Sequence, residues 1–253
     1  MKISIITATL NSEKTIEDTI LSVFNQPFRD IEHLIIDGGS IDKTLEIVKK
    51  YPQRISKIIS EPDIGVYDAM NKGIKLADGE IIGFLNSDDV YFDNNVIEAV
   101  VGVFLENNID CLWGDLVYVS KDNLKKVVRY WKSSEYRDGL FGAGWVPPHP
   151  TFFVKKEIYK KYGGFNLDFK IAADYELMFR LLKKHKIKGK YISKPLIKMR
   201  TGGLAHQPKN VAKGNMECIK TWEINGFKMP FYTPALRTIR RVCQILIKRK
   251  YFA

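Results

Sequence analysis

Two adjacent carboxylates, Asp88 and Asp89, follow the apolar run Ile81-Ile82-Gly83-Phe84-Leu85. Acids side by side repel, and a divalent cation relieves the repulsion. Their hard oxygens suit Mg²⁺ or Mn²⁺, ions that also bridge the phosphates of a substrate. An isolated Asp-Asp pair more often caps a turn; placement at the end of a buried strand favours a metal. Asp37 ends another apolar run and precedes Gly38-Gly39-Ser40. There an acid can accept hydrogen bonds from a base or ribose, while glycines let backbone approach a ligand closely. An Asp-Gly turn into a helix is the competing reading. Asp174 opens an amphipathic segment with Leu177, Phe179, Leu181 and Leu182. It is either a favourable acid in a first helical turn or a general base aimed at a site. His149, between two prolines, can touch an acceptor or a diphosphate, or fill a polar niche. Arg200-Thr201-Gly202-Gly203 and His206 can close over a diphosphate, although a Gly-Gly turn also explains that stretch.

These residues need a scaffold, and the first half of the chain supplies one. Short β-branched runs (Ile3 to Thr7, His33 to Ile36, Ile55 to Ser60, Ile81 to Leu85) alternate with amphipathic segments. The segments start near Asn11 or Ser12, at Ser40 or Asp42, at Val66 and at Asn95. Strand–helix alternation predicts right-handed crossovers and a mostly parallel, Rossmann-like sheet flanked by helices. Ligands of such sheets bind beyond the carboxyl ends of the strands. The polar clusters Thr9 to Glu13, Asp37 to Ser40, Glu61 to Asp63 and Asn86 to Asp89 all fall there. Beyond Cys111 the pattern predicts paired strands at Leu116 to Val119 and Val127 to Trp131, and another at Thr151 to Val154. A helix over Ala172 to Lys184 and short strands at Lys188 to Ile192 and Leu196 to Met199 follow. The Gly- and Pro-rich stretch Lys132 to Pro148 reads as a lid.

In order, TATLNSEKTIEDTILSVFNQ, EHLIIDGGSIDKT, EPDIGVYDAMNKGIKLADGEIIGFLNSDD and ADYELMFRLL resemble glycosyltransferase family 2, over residues 3 to about 183. The chain is similar to the colanic-acid and surface-polysaccharide type of bacterial transferases within it. The resemblance implies a GT-A fold and an inverting transfer from a nucleotide-diphosphate sugar, with UDP favoured, to a glycan or lipid-linked acceptor. It places Thr7, Thr9, Asn11 and Glu13 on the first nucleotide-contact loop and Asp37 at the nucleobase. Asp63, Asn71 and Lys72 line the nucleotide's other side, Asp88 and Asp89 form the metal and ribose motif, and Asp174 is the base. Many relatives read DxDD where this chain has Asn86-Ser87-Asp88-Asp89, so either Asp88 or Asp89 can be the acid that holds the metal. Many also carry Glu before the base where this chain has Ala173, so the acceptor contact either falls to Glu176 or is absent.

With 253 residues, 45% of them hydrophobic, the chain can bury a sizeable core. The expected organisation is one catalytic domain over 1–230, with a nucleotide-sugar half (1–110) and an acceptor half (111–230), and a basic amphipathic helix over 231–253. Cys111, Cys218 and Cys243 are too scattered for a disulfide framework or a zinc site. The opening MKISIITATLN lacks the long apolar region of a signal peptide, so a cytoplasmic location is expected. The net charge of +11 calls for an anionic partner. Tyr232 to Ala253 holds six Lys/Arg and no acid, with Leu236, Ile239, Val242, Ile245 and Leu246 at helical spacing. It reads as an interfacial helix on the anionic inner face of the cell membrane, or as a helix packed on the domain. Nucleic acid is disfavoured, because the acids gather at the cleft. A nucleotidyltransferase would carry a Gly-rich loop after the first strand, and Ala8 to Glu13 has none. A protein that binds a nucleotide sugar without transferring it is the remaining alternative.

Overall fold

The computed structural model describes residues 1–202 and 208–251. Its centre is four parallel strands in the order β3 (Lys57–Ser60), β2 (Ile31–Asp37), β1 (Ile3–Thr9), β4 (Ile81–Phe84). Every residue of β1 and β4 is buried, as both faces are covered. On β1, Ile6 and Ala8 join one core cluster while Ile3 and Ile5 join another, the alternation of a central strand. Helices α1 (Ile16–Phe24), α2 (Thr44–Val48), α3 (Val66–Leu76) and α4 (Val96–Glu106) complete this half. Helix α3 lies close on β1 because Gly73 leaves room; a Cβ there would stand 2.4 Å from Ile6 Cγ2.

Beyond β4 the sheet becomes mixed. The two-residue β5 (Val90–Tyr91) forms its far edge, and the hairpin β6 (Cys111–Ser120) and β7 (Asn123–Trp131) is antiparallel. Strand β8 (Phe153–Lys155) joins β4 to the start of β6, and β9 (Gly189–Arg200) runs parallel to β6. The two strands expected at 188–192 and 196–199 are thus one, with a register irregularity around Pro195. Only Phe153 and Val154 of the run expected at 151–154 are strand, since His149–Thr151 forms a 3₁₀ turn. Helices α5 (Lys156–Tyr162), α6 (Ala173–Phe179), α7 (Pro208–Ile224) and α8 (Thr233–Tyr251) follow, α6 ending in a π-turn at Arg180–Lys184. The expected GT-A-type sheet is present.

The stretch 132–148 is not a free lid. Phe141 and Trp145 are buried in the main core and pack on Tyr136, Tyr175 and Phe179. Aromatic anchors fix a loop that glycine content alone portrays as mobile.

Candidate active site

The four parallel strands end on one edge, and side chains tie the loops there together. The Asn11 amide oxygen accepts from Ile41 N–H (2.9 Å), and Asn11 N–H donates to Ser40 Oγ (2.8 Å). Asn11 has φ 50°, a left-handed conformation that asparagine tolerates. Glu13 accepts from Lys43 N–H, and Ser12 joins Ser87 through their hydroxyls at 2.8 Å. Asp37 is completely buried; it accepts from Gly39 N–H, Ser40 N–H and Oγ, and Ser60 Oγ, so it shapes its own loop. Asp63 packs over Gly38, where a Cβ would meet its carboxylate, and accepts from Gly65 N–H. Lys72 closes the next loop on the Pro62 carbonyl and on Glu61, both at 2.9 Å. Thr9 Oγ1 is buried on this edge without a partner among the described residues.

The two acids of the Asn86-Ser87-Asp88-Asp89 turn differ. Asp89 is fully buried, accepting from the Asn86 amide (3.1 Å) and from Arg200 N–H (3.2 Å). Burial and the neighbouring Asp88 push its carboxyl well up. Asp88 is half-buried, and no side chain hydrogen-bonds its carboxylate among the described residues. Burial raises its pKa while the Arg200 guanidinium opposes the rise. Asp88 therefore presents the open oxygen ligand and Asp89 holds the turn. No group of three His, Cys, Asp or Glu side chains that could cage an ion occurs among the described residues. One open carboxylate fits Mg²⁺ or Mn²⁺ completed by phosphate oxygens and water, the usual habit of these ions with nucleotides.

Asp174 stands in the first turn of α6, one-fifth exposed on the wall of a cleft of about 350 Å³. His149 Nδ1 is 3.0 Å from its Oδ2, and the Tyr67 hydroxyl, from α3, is 3.2 Å from its Oδ1. Burial pushes this carboxyl up, but the His149 charge, these hydrogen bonds and Tyr175 N–H together hold it below the usual range. Burial chiefly raises the Tyr118 hydroxyl, and Asp89 and Asp174 both add to the rise, so the 86–89 turn and the candidate base are electrostatic neighbours.

Four expected contacts are corrected. Thr7 faces the core, its Oγ1 3.0 Å from Nε2 of His33, an imidazole that burial drives down to about 4. Asn71 spends its amide on Phe165 N–H and C=O and cannot line a nucleotide. Glu176 is 1% exposed, its carboxylate spent on Arg180 and Asn225. Arg200 is 7% exposed; its guanidinium holds the Asp88 carbonyl (2.6 Å) and Asp18 (2.5 Å), bracing the 86–89 turn rather than covering a diphosphate. His206 lies outside the described residues. The sequence reading missed Tyr67, and it missed Glu217 of α7. The Glu217 carboxylate accepts from Lys170, Ile171 and Ala172 N–H at 2.8 to 3.0 Å, fixing the chain that leads into Asp174.

A family model described as glycosyl transferase family 2 matches residues 4–171. A Mycobacterium tuberculosis glycosyltransferase is 35% identical over 181 residues, 70% of this chain and 68% of that protein. An Escherichia coli glucosyltransferase, WfgD, named for UDP-Glc and α-D-GlcNAc-diphosphoundecaprenol, is 32% identical over 123 residues, 48% of each chain. Among solved structures, Staphylococcus aureus TarS in complex with UDP-GlcNAc superposes with TM-score 0.67 at 18% identity, covering all of this chain and 74% of that one.

Proposed function

The chain belongs to glycosyltransferase family 2, and on that premise we propose an inverting enzyme that moves a sugar from a nucleotide-diphosphate donor to an acceptor hydroxyl. The observation that carries this reading is an open Asp88 at the donor edge together with an Asp174 held below the usual carboxylate range by His149 and its hydrogen-bond donors. The loops around Asn11, Asp37 and Asp63 hold the nucleoside, and Asp88 faces the diphosphate. Mg²⁺ or Mn²⁺ held by Asp88 would supply Lewis-acid neutralisation of the leaving diphosphate. Asp174 takes the proton of the acceptor hydroxyl as its oxygen attacks the anomeric carbon from the face opposite the leaving group. One base and no covalent nucleophile are required, and the configuration inverts. A UDP donor is favoured by the complexes of TarS with UDP and UDP-GlcNAc. A lipid-linked acceptor of surface-polysaccharide synthesis is favoured by the name of WfgD. No described helix is long and apolar enough to cross a membrane, so such an acceptor would be met at the membrane surface.

The test is nucleoside-diphosphate release and donor binding with UDP-, GDP- and dTDP-sugars, each with Mn²⁺, Mg²⁺ or EDTA. Metal-dependent turnover or binding of one donor is expected, falling at least about 10²-fold in Asp88→Ala. Neither turnover nor metal-dependent binding of any nucleotide sugar would remove the transferase reading.

A further inference from the structure

The cleft that holds Asp174 is also lined by Arg129 of β7 and by Arg237 and Arg241 of α8. None of the donor-edge residues at 9–13, 37–40, 61–63 or 86–89 lines it. The guanidiniums of Arg129 and Arg237 are held by neutral groups. Arg129 Nε donates to Gln244 Oε1 (2.7 Å) and its guanidinium carbon sits 4.3 Å from the Tyr118 ring centroid. Arg237 stacks 5.0 Å from the centroid of Tyr175, the residue after Asp174. Among the described residues none of the three is within ion-pair distance of a carboxylate. Arg237, Arg241 and Gln244 follow at helical spacing, so α8 turns this face to the cleft. Burial first, and then the neighbouring guanidinium, disfavours the charge on Arg129 (beside Arg241) and on Arg241 (beside Arg237). Like charges gathered at a cleft with no carboxylate in ion-pair contact are tolerated where the ligand brings the anion.

We propose that Arg129, Arg237 and Arg241 form a phosphate subsite for the acceptor, so that the acceptor carries a phosphate or diphosphate beside the sugar it presents to Asp174. This rests on the transferase reading above and names its acceptor class. Guanidiniums suit the task because their planar forks pair with two phosphate oxygens at once. Asp174 acts on Arg237 electrostatically, which puts the subsite next to the base. The C-terminal helix is thereby part of the acceptor site.

The test uses the full chain with its donor edge saturated by UDP and Mn²⁺. Binding of inorganic pyrophosphate, farnesyl diphosphate and farnesol is measured by calorimetry. Wild type, Arg241→Gln, Arg241→Lys and the double variant Arg129→Gln/Arg241→Gln are compared, with thermal unfolding as the check on folding. Both diphosphates are expected to bind the UDP-saturated protein and to weaken about tenfold or more in Arg241→Gln. Further loss is expected in the double variant and partial recovery in Arg241→Lys. Much tighter farnesyl diphosphate than pyrophosphate identifies a lipid headgroup; equal affinities identify phosphate on a glycan. Either result supports the subsite. Diphosphate binding that UDP abolishes, or that survives both glutamine variants, overturns it. Failure to bind UDP at all would instead count against the donor edge, so the two readings fail separately.

Discussion

At the residue scale the site rests on one ionised carboxylate and on what keeps it so. Asp174 is buried enough that its carboxyl should rise, and it is held low because His149 and its hydrogen-bond donors outweigh burial. Removing His149 leaves the burial in place. In His149→Ala the carboxyl is expected to move up, so the acid limb of the rate–pH profile shifts to higher pH. Activity then recovers as the pH is raised further, because Asp174 still ionises there. His149→Asn, keeping a donor without the charge, should shift the limb less. In Asp174→Asn the rate should fall about 10²–10⁴-fold at every pH. An acid limb unmoved in His149→Ala would mean that the histidine does not hold the carboxylate. The sequence could name Asp174 through its helix-opening position and motif. It could not pair it with Tyr67, 107 residues away, since only the packing of α3 against the 165–174 segment brings them together.

At the scale of elements, legibility followed periodicity. The range expected for α3, Val66 to Leu76, is the range observed, because Val66, Ala69, Met70 and Ile74 recur at helical spacing and the lone Gly73 sits on the buried face. Strand β9 read as two pieces because Pro195 interrupts it, and a parallel neighbour with a register shift absorbs the interruption. Helix α7 was not anticipated. Its charged and polar residues outnumber its apolar ones, and its value to the site lies in one buried acid, Glu217. That carboxylate pins the three N–H groups of 170–172 just ahead of α6, where Ala172 offers no side-chain cap of its own. Glu217→Gln puts an amide N–H against backbone N–H donors that need an acceptor. A loss of roughly 3 kcal/mol in stability is expected. Because Asp174 is then free to wander, kcat should also fall about tenfold at a temperature where the protein is still folded. Lowered thermal stability with unchanged kcat would reduce Glu217 to a structural role.

At the scale of the whole molecule, the question is what α8 does with its two faces. Arg237, Arg241 and Gln244 turn to the cleft, and Thr233 anchors the helix start on the Gly142 carbonyl. The apolar stripe does not pack on the domain: Ile239, Val242 and Ile245 are 55%, 53% and 53% exposed, and Phe231 is 94% exposed. Lys248, Arg249 and Lys250 follow in the sequence. An exposed apolar stripe on a helix without acids, in a chain of net charge +11, complements an anionic lipid surface. Each apolar side chain and each cation there contributes on the order of 1 kcal/mol. The sum would give reversible attachment, weakened by salt, rather than permanent anchoring. The protein is expected to sediment with phosphatidylglycerol vesicles at low salt and not with phosphatidylcholine vesicles. Ile239→Asp/Val242→Asp should release it, because a carboxylate on that face meets both lipid tails and anionic headgroups. These substitutions lie on the face away from the cleft, so pyrophosphate binding in the UDP-saturated variant reports whether α8 is still docked. Vesicle binding that persists in a correctly docked variant, or that ignores lipid charge, would place the membrane contact elsewhere and leave the exposed stripe without a lipid partner.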